Sequence, residues 1–198
     1  RRQTTNTMYY NADSIVFLDG QWIPAAKAET SLYGQTLHYG NGVFEGIRAY
    51  KTTQGTHVFK AEEHYRRMAY SAGRMHLPMP YTPEELTEIS YTLLGKNGLS
   101  DAYIRPLLFG APNMSLTPPS KTHLFMCAWT WGKLLGEKPV RLGISSIRRP
   151  HPESCFVDAK VCGHYTNSII AGTDARSRGY DDALLLDTGG YVAEGPGA

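Results

Sequence analysis

Eleven residues, from Asp158 to Ser168, constrain the fold of this chain more than any other segment. The stretch DAKVCGHYTNS places Lys160 on an irregular segment, and Tyr165 follows five residues later at the start of a predicted helix. A glycine-rich turn, YVAEGPG, then carries Glu194, 34 residues after the lysine. A fold that uses these three side chains together must bring an amine, a phenol and a carboxylate to one place.

These three groups meet the chemical requirements of pyridoxal 5'-phosphate. Its aldehyde needs an amine for a Schiff base, and a phenol suits its ring hydroxyl. A carboxylate keeps its ring nitrogen protonated, so that the ring accepts electrons. Read singly, a lysine is most often a solvated surface residue, a turn glutamate is common on surfaces, and a first-turn tyrosine is often a core aromatic. The combination at these spacings indicates function.

Composition narrows the class of protein. A hydrophobic content of 41% and a charged content of 19% fit a soluble globular protein, and a formal charge of +2 gives no basis for binding nucleic acid or a membrane surface. No apolar run approaches the roughly 18 residues that a membrane span needs. The start of the chain has no signal-peptide pattern.

Three cysteines, an odd number without framework spacing, favour a reducing compartment. Cys155, Cys162, His151 and His164 lack the paired spacing of structural zinc sites, so no metal site is predicted. Cys162, two residues from the lysine, is interpreted as an inert small residue, with a redox-sensitive thiol as the alternative.

Strands and helices are mixed in the predicted order without strict alternation, which favours an α+β protein in two parts. Two hairpins are predicted around Asp19-Gly20 and around residues 53–55, and a third near the C-terminal end. Helical spacing begins at Ala61, and Thr82-Pro83-Glu84-Glu85 predicts a capped second helix. The remaining predicted elements are strands at 102–110, 122–130 and 140–147 and a helix over 165–178.

Several further motifs occur in a consistent order. They are LHYG at 37–40, VFEGIR at 43–48, EHYRRM at 63–68, AYIRPL at 102–107, Trp131-Gly132 and Gly179-Tyr180. Together with the lysine segment and the glutamate turn, they resemble the class IV (fold type IV) pyridoxal-phosphate enzymes, and within them the branched-chain amino-acid aminotransferases. The resemblance runs from about Ser14 to the last residue.

The resemblance implies a two-domain organisation. Residues 1–13 are expected to be a tail, 14–132 a small N-terminal α+β domain, and 133–139 an interdomain linker. Residues 140–198 are expected to form the first part of a larger C-terminal cofactor-binding domain. Because relatives continue past the glutamate turn, we expect further chain that completes this domain. Residues 183–193 are expected either to pack against that further chain or to show unusual exposure of Leu184, Leu185 and Leu186.

The resemblance also assigns cofactor contacts. Lys160 forms the Schiff base and moves the proton, Tyr165 hydrogen-bonds the ring oxygen, and Glu194 pairs with the ring nitrogen. Arg67 matches the phosphate-binding arginine, since a guanidinium suits a phosphate. Its neighbour Arg66 is expected to be solvated.

Substrate contacts are implied in the same way. Tyr39, Phe44 and Trp131 match positions that line an apolar pocket, together with Tyr103. Arg105 is expected to accept the second carboxylate of glutamate or 2-oxoglutarate. Gly46 is expected to give the substrate room, because glycine has no Cβ. Two departures, Cys162 with His164 in the lysine segment and Leu134 where some relatives carry a pocket tyrosine, bear on substrate ranking.

The implied activity is transfer of the amino group of leucine, isoleucine or valine to 2-oxoglutarate. The resemblance also implies a cytoplasmic homodimer or higher homo-oligomer that acts in branched-chain amino-acid biosynthesis or breakdown. The residues leave open the direction and the ranking of the three donors. The alternatives are another class IV enzyme (a D-amino-acid or R-amine transaminase, or aminodeoxychorismate lyase) and a catalytically silent relative. Tyr103-Ile104-Arg105-Pro106 argues against the first, and the retention of Lys160, Tyr165 and Glu194 against the second.

Overall fold

The computed structural model describes residues 9–132, 136 and 138–197. The first eight residues of the predicted tail, and most of the predicted linker with Leu134, lie outside the described residues. Tyr9, within the predicted tail, packs edge-on against Trp129 with ring centroids 5.3 Å apart. No helix in the described part of the chain is both long enough and apolar enough to cross a membrane.

The described residues form two β-sheets and four α-helices. The strands are β1 (Ile15–Leu18), β2 (Gln21–Pro24), β3 (Gly42–Phe44), β4 (Ile47–Thr52), β5 (Gly55–Val58), β6 (Ala102–Gly110), β7 (Thr122–Trp129), β8 (Leu142–Ile144), β9 (Asp182–Leu186) and β10 (Val192–Glu194). The helices are α1 (Gln35–Tyr39), α2 (Ala61–Arg74), α3 (Pro83–Lys96) and α4 (Tyr165–Ser177), with 3-10 turns at Ala25–Lys27 and Cys162–His164.

The larger sheet has the order β2-β1-β7-β6-β4-β5, and β3 also pairs with β6. Its pairs are antiparallel, and β6 and β7 run together from Tyr103 opposite Trp129 to Gly110 opposite Thr122. Side chains along β6 alternate between the two faces, as a pleated strand requires. Ile104 is fully buried while Arg105 is half-buried. One face of the sheet therefore belongs to the core, and the other is partly open.

Helices α2 and α3 cover the core face. Tyr65 and Met68 of α2 and Leu86 and Leu93 of α3 are fully buried in one cluster with Ile104. Burying each such side chain contributes about 1.5–3 kcal/mol. Helix α3 begins with a complete capping box between Thr82 and Glu85, in which each side chain accepts a hydrogen bond from the other residue's backbone.

The smaller sheet has the order β10-β9-β8. Strands β8 and β9 are parallel, with α4 between them in the chain, and β10 is antiparallel to β9. Ala171 and Ala175 of α4 pack against Ala183 and Leu185 of β9. This strand–helix–strand unit fixes the start of α4, where Tyr165 lies.

The predicted α+β fold is confirmed. The first two hairpins, α2, the capped α3 and the bounds of β6 are found as predicted. Strand β8 is shorter than the predicted 140–147, because Ser145 turns the chain by accepting a hydrogen bond from the Ile147 amide. The short elements α1 and β3 were not predicted from the sequence.

Of the two outcomes expected for residues 183–193, unusual exposure of Leu184, Leu185 and Leu186 is not observed, and packing against further chain stays a prediction. Leu185 is fully buried beneath α4, and its two neighbours are half-buried. The exposed apolar side chains of this region are instead Tyr191 and Val192, at 76% and 68%. The strand's central leucine points into the small core, and the exposure shifts to the outer strand of the sheet.

Candidate active site

A cavity of about 900 Å³ lies between the open face of the larger sheet and the segment that carries Lys160. Strands β3, β4, β6 and β7 supply one wall, and residues 160–165 and 196–197 supply the other. The lining residues are Phe44, Arg48, Tyr50, Tyr103, Arg105, Leu107, Phe125, Trp131, Gly132, Lys160, Cys162, Tyr165, Pro196 and Gly197. The cavity thus combines an aromatic and aliphatic lining with a lysine and two arginines.

The Lys160 amine and the Tyr165 hydroxyl are in direct contact. The amine donates a hydrogen bond of 2.7 Å to the phenol oxygen. Phe44 packs edge-on against the Tyr165 ring at 4.8 Å between centroids, and the amine lies 5.1 Å from the Phe44 centroid. The structure therefore brings together three predicted site residues from two distant parts of the chain.

The backbone of β3 and the turn before it receive the lysine segment. The Phe44 amide donates to the Lys160 carbonyl at 3.2 Å, and Val43 forms a β-bridge with Val161. The Gly163 amide donates to the Gly40 carbonyl at 3.1 Å. A Cβ on Gly40 would lie 2.6 Å from the Gly163 Cα, and the φ of Gly40 is +71°, so this close approach requires glycine.

Arg67 is held by a buried carboxylate. Its Nε and Nη2 donate to the two oxygens of Glu45 at 2.6 and 2.7 Å, and His64 Nδ1 lies 2.9 Å from the same carboxylate. Burial opposes ionisation of Glu45, but the hydrogen bonds and charges of Arg67 and His64 outweigh it, and its pKa lies below the ordinary value of 4.5. The same hydrogen bonds, which Arg67 donates to Glu45, raise the pKa of Arg67, with smaller contributions from the charge of Glu45 and from nearby Tyr165. Among the described residues, Arg67 Nη1 makes no hydrogen bond.

Glu194 lies at the end of β10 and forms an ion pair. Its carboxylate is 2.7 Å from Arg149 Nε, and Arg149 Nη1 also donates to Asn167 on α4 at 2.9 Å. The Glu194 side chain is 39% exposed and is not among the residues that line the cavity, although Pro196 and Gly197 just beyond it are. The structure thus links the glutamate turn to the helix that Tyr165 begins.

Arg105 projects from β6 into the cavity. Its Nη2 donates to the Tyr103 hydroxyl at 2.7 Å, and its Cζ lies 4.6 Å from the Phe44 ring centroid. Its Nε is buried without a hydrogen-bond partner among the described residues. An unpaired buried donor is costly, so this atom is a ready partner for an acceptor entering the cavity.

The structure indicates a different reason from the expected one for a glycine at position 46. A Cβ at this position would lie 2.1 Å from the Tyr103 hydroxyl. The space left by the missing side chain is therefore filled by Tyr103 and is not open to a substrate. Gly46 lets the tyrosine that supports Arg105 lie against the backbone.

Trp131 closes one side of the cavity. Its ring packs edge-on against Tyr103 at 4.9 Å between centroids. Arg48 Nη1 donates to the Trp131 carbonyl at 2.7 Å and to the Gly132 carbonyl at 3.2 Å. This arginine, which was not among the predicted site residues, anchors the chain where it leaves the larger sheet.

Tyr39 is not brought to this cavity within the chain. It is 49% exposed, its hydroxyl donates to the Met114 carbonyl at 3.3 Å, and it lines a separate cleft of about 280 Å³. Another cavity of about 430 Å³ lies on the same sheet face, and its described lining holds no lysine, arginine or histidine. The 900 Å³ cavity is therefore the better match to an anionic ligand.

The cysteines are unpaired, and two of them are strongly perturbed. Burial raises the pKa of Cys162 to about 11 and that of Cys127 to about 12, although the positive charge of Arg105 acts in the opposite direction on both. A protonated thiol is a poor nucleophile, which favours the inert interpretation of Cys162. Within the described residues, no three histidine, cysteine or acidic side chains converge as metal ligands.

Comparison with known proteins places this geometry in a family. The sequence pattern of the amino-transferase class IV family matches residues 42–198, which includes the segments of Phe44, Arg105, Lys160 and Glu194. The chain belongs to the class IV aminotransferases. The predicted family resemblance is confirmed.

Relatives of this aminotransferase chain carry more specific names. The branched-chain-amino-acid aminotransferase of Pseudomonas aeruginosa is 41% identical over 93% of this chain and 62% of its own length. The crystal structure of a branched-chain aminotransferase from Thermoproteus uzoniensis with norvaline is 38% identical. It has a TM-score of 0.89 over 92% of this chain and 63% of that one. The chain spans about 62% of the length of the curated relative.

A third relative was solved with a cofactor adduct. It is the T.th. branched-chain amino acid aminotransferase complexed with N-(5'-phosphopyridoxyl)-L-glutamate. It is 37% identical, with a TM-score of 0.86 over 93% of this chain and 61% of that one. The two solved relatives therefore share the fold across nearly the whole described chain.

The sequence of this class IV aminotransferase did not predict the partners that fix Arg67 and Glu194. Glu45 and His64 lie inside the motifs VFEGIR and EHYRRM, and Arg149 is in a pair too short to count as a basic patch. A glutamate set among the apolar residues Val43, Phe44 and Ile47 is a sequence signal that could have found Glu45, because a carboxylate in such a segment is rarely buried unless it is paired.

We expect Glu45→Gln to lower the free energy of unfolding by about 1–3 kcal/mol at neutral pH, because it removes charge-assisted hydrogen bonds to Arg67. The carboxylate's contribution is fully present above its ordinary pKa of 4.5 and is lost as pH falls through its lowered pKa in the fold. Below about pH 4.5, the free energy of unfolding should therefore fall less steeply with decreasing pH in the variant than in the native protein. Denaturant unfolding across pH measures both effects.

The matched control is Glu63→Gln. It breaks an exposed pair with Lys60 near the start of α2, the helix that carries Arg67. It should leave the unfolding curve unchanged within error. Equal effects of the two substitutions would contradict a specific role for the buried carboxylate.

Proposed function

We propose that the full-length protein is a pyridoxal-phosphate-dependent aminotransferase that moves the amino group of leucine, isoleucine or valine to 2-oxoglutarate. The observation that carries this proposal is the 2.7 Å contact between the Lys160 amine and the Tyr165 hydroxyl in the 900 Å³ cavity. Membership of the class IV family and the names of the relatives support it.

The residues present fit the cofactor. The cavity has the size of a small-molecule site, roughly 300–1,000 Å³. Arg67 keeps Nη1 for a phosphate while Glu45 fixes the rest of its guanidinium. When bound, pyridoxal phosphate supplies the aldehyde that takes up the amino group and a ring that stabilises negative charge at the reacting carbon. The solved T.th. relative, with its phosphopyridoxyl adduct, supports this assignment.

Lys160 has two tasks in this proposal. Its amine would hold the cofactor covalently, and its free Nζ would accept the proton that leaves the substrate's Cα. Tyr165 orients Nζ through the 2.7 Å hydrogen bond and offers its hydroxyl to the ring oxygen of the cofactor. Phe44 limits the movement of both groups by packing against the tyrosine ring.

Glu194 is proposed to face the ring nitrogen and favour its protonated form. Arg149 holds one carboxylate oxygen at 2.7 Å and is itself tied to Asn167 of α4. A carboxylate oriented in this way keeps further lone pairs for a second donor. The ion pair thereby links the position of Glu194 to the helix that begins at Tyr165.

The substrate side chain is proposed to lie among Phe44, Tyr103, Trp131 and the aliphatic wall at Leu107. These side chains line the same cavity as Lys160 and suit a branched aliphatic group. Arg105, with its unpaired Nε, supplies the charge for the second carboxylate of glutamate or 2-oxoglutarate. One pocket can thus accept an apolar donor and an acidic acceptor.

Replacing Lys160 with alanine should abolish the absorbance of the lysine-linked cofactor and lower turnover by at least about 10²–10⁴-fold, because the proton carrier is lost. Absorbance spectra and a donor panel with 2-oxoglutarate as acceptor measure this. Lys51→Ala, an exposed lysine on β4, is the control and should be silent. Full turnover in the Lys160 variant would refute the proposal, and a preference for D-amino acids in the native protein would favour the other class IV enzymes.

Arg105→Ala should reduce kcat/KM for 2-oxoglutarate by about 10–100-fold and that for leucine only slightly, because only the acidic substrate loses a charged hydrogen bond. Tyr103→Phe keeps the arginine but removes its hydroxyl partner, and should cause a smaller loss. Steady-state kinetics with both substrates tests this. Equal losses for the two substrates would mean that Arg105 serves the shared α-carboxylate or the structure.

We further propose that two copies associate in the cytoplasm through an exposed apolar face. The face consists of side chains from two segments, residues 32–39, which include α1, and the loop at 112–117. They are Leu32, Tyr33, Leu37, Tyr39, Met114 and Leu116. Leu32 and Leu116 are 74% and 86% exposed. Hydrogen bonds of 2.7 Å from Gln35 to the Ser115 and Thr117 carbonyls hold the two segments together. Such a patch typically marks an interaction site, and the three free cysteines support a reducing compartment.

Leu116→Asp should shift the full-length protein toward the monomer, because a charge cannot be buried unpaired in an apolar interface. Analytical ultracentrifugation across a concentration range measures the shift. Thr53→Asp, in the exposed β4–β5 turn, should leave the association unchanged. A native protein that is monomeric at all concentrations would overturn this proposal.

A further inference from the structure

The segment that carries Lys160 is held on two sides by earlier parts of the chain. On one side, the Phe44 amide donates to its carbonyl. On the other side, the Lys160 amide donates to the Ser71 hydroxyl at 2.9 Å, across 89 residues of sequence. The two backbone groups of Lys160 are thus fixed by different elements, its carbonyl by β3 and its amide by α2.

Ser71 is a fully buried polar residue in the last turn of α2. Arg67 lies four residues earlier in the same helix, which places the two side chains one turn apart on one face. Arg67 is fixed by Glu45 and is proposed to contact the phosphate, while Ser71 contacts the backbone of the proposed covalent anchor. One helical turn therefore sets the relative position of the two ends of the cofactor site.

Two more contacts from α2 reach the residues just before the lysine. The Tyr70 hydroxyl donates to the Asp158 carboxylate, and this bond raises the pKa of Tyr70 and lowers that of Asp158. The Arg74 guanidinium lies over the Phe156 ring at 4.0 Å. These contacts are exposed, so Ser71 is the member of the set that is shielded from water.

We propose that Ser71 is a positioning residue for Lys160, acting through the lysine's backbone amide. The inference rests on the proposed function, in which Lys160 holds the cofactor and moves the proton. A flexible lysine side chain can reach its target from several backbone positions, but proton transfer needs Nζ within a narrow range of geometry. A misplacement of about 1 Å far from the chemistry can cost as much as 10²-fold in rate. Fixing the Lys160 backbone restricts the amine to the arc that includes Tyr165.

The test compares Ser71→Ala with Ser90→Ala in the cofactor-loaded full-length protein. Ser90 is the matched control because it is equally buried, lies in the neighbouring helix α3, and hydrogen-bonds Tyr65 and the Leu86 carbonyl. Both variants lose one buried hydroxyl, so both should lose thermal stability. Only Ser71→Ala should move the midpoint of the pH titration of the lysine-linked cofactor absorbance.

We expect Ser71→Ala to lower kcat by about three- to tenfold with little change in KM, since one net hydrogen bond is removed. Ser71→Thr keeps the hydroxyl and should restore most of both readouts. An unchanged titration and kcat in Ser71→Ala would overturn the inference. An equal change in Ser90→Ala would also overturn it, because the effect would then be a general loosening.

Hydrogen exchange in the native protein tests the contact without a substitution. The Lys160 amide should be strongly protected, and exchange at the rate of an unprotected amide would overturn the inference even if Ser71→Ala fails to fold. Failure of the proposed function is distinguishable, because it would appear as an absence of lysine-linked absorbance in the native protein. A native protein with that absorbance, together with a silent Ser71→Ala, would refute only the role of Ser71.

Discussion

The register between β6 and β7 is the constraint on which the rest of the structure depends. These two strands pair over eight positions at the centre of the larger sheet, and their side chains alternate between the core and the cavity. A slip of one residue would move Arg105 into the apolar core and Ile104 into the cavity. The hydrophobic pattern that builds the core therefore also determines which side chains face the site.

Charge in the site is organised by fixing each cation through a separate partner. Arg67 is held by Glu45, Arg105 by the Tyr103 hydroxyl and Arg149 by Glu194 and Asn167. Fixed donors do not have to reorganise when an anion arrives, which is the condition for effective electrostatic stabilisation. Of these three arginines, Arg105 keeps a buried donor, Nε, without a partner among the described residues.

Much of the local structure could be predicted from the sequence, because its determinants are local. The capping box at Thr82, the Asp19-Gly20 turn and the alternation of β6 each lie within a few residues of the element they specify. Phe44 could be assigned to the site of Lys160 and Tyr165 only through the family resemblance, since it lies more than a hundred residues before Lys160. Nothing in local spacing indicated that Phe44 would meet these two residues.

The contacts that the sequence did not indicate have one physical origin. The partners of Arg67 and Glu194 are long-range contacts that depend on how helices and strands pack, and Gly46 is explained by a tyrosine 57 residues away. Tyr39 fits an apolar motif, yet the short helix α1 turns it toward a separate cleft. A motif identifies which residue types are present, but packing decides which groups they face.

The close contact between Gly40 and Gly163 has a consequence for how the chain is made. All strands of the larger sheet and both helices on its core face are complete by Trp129, so this unit can form while the following residues are still being synthesised. The lysine segment then docks onto a surface that already exists, and loop closure over more than a hundred residues is replaced by a local fit. The contact between Gly40 and Gly163 would therefore form after the larger sheet has folded.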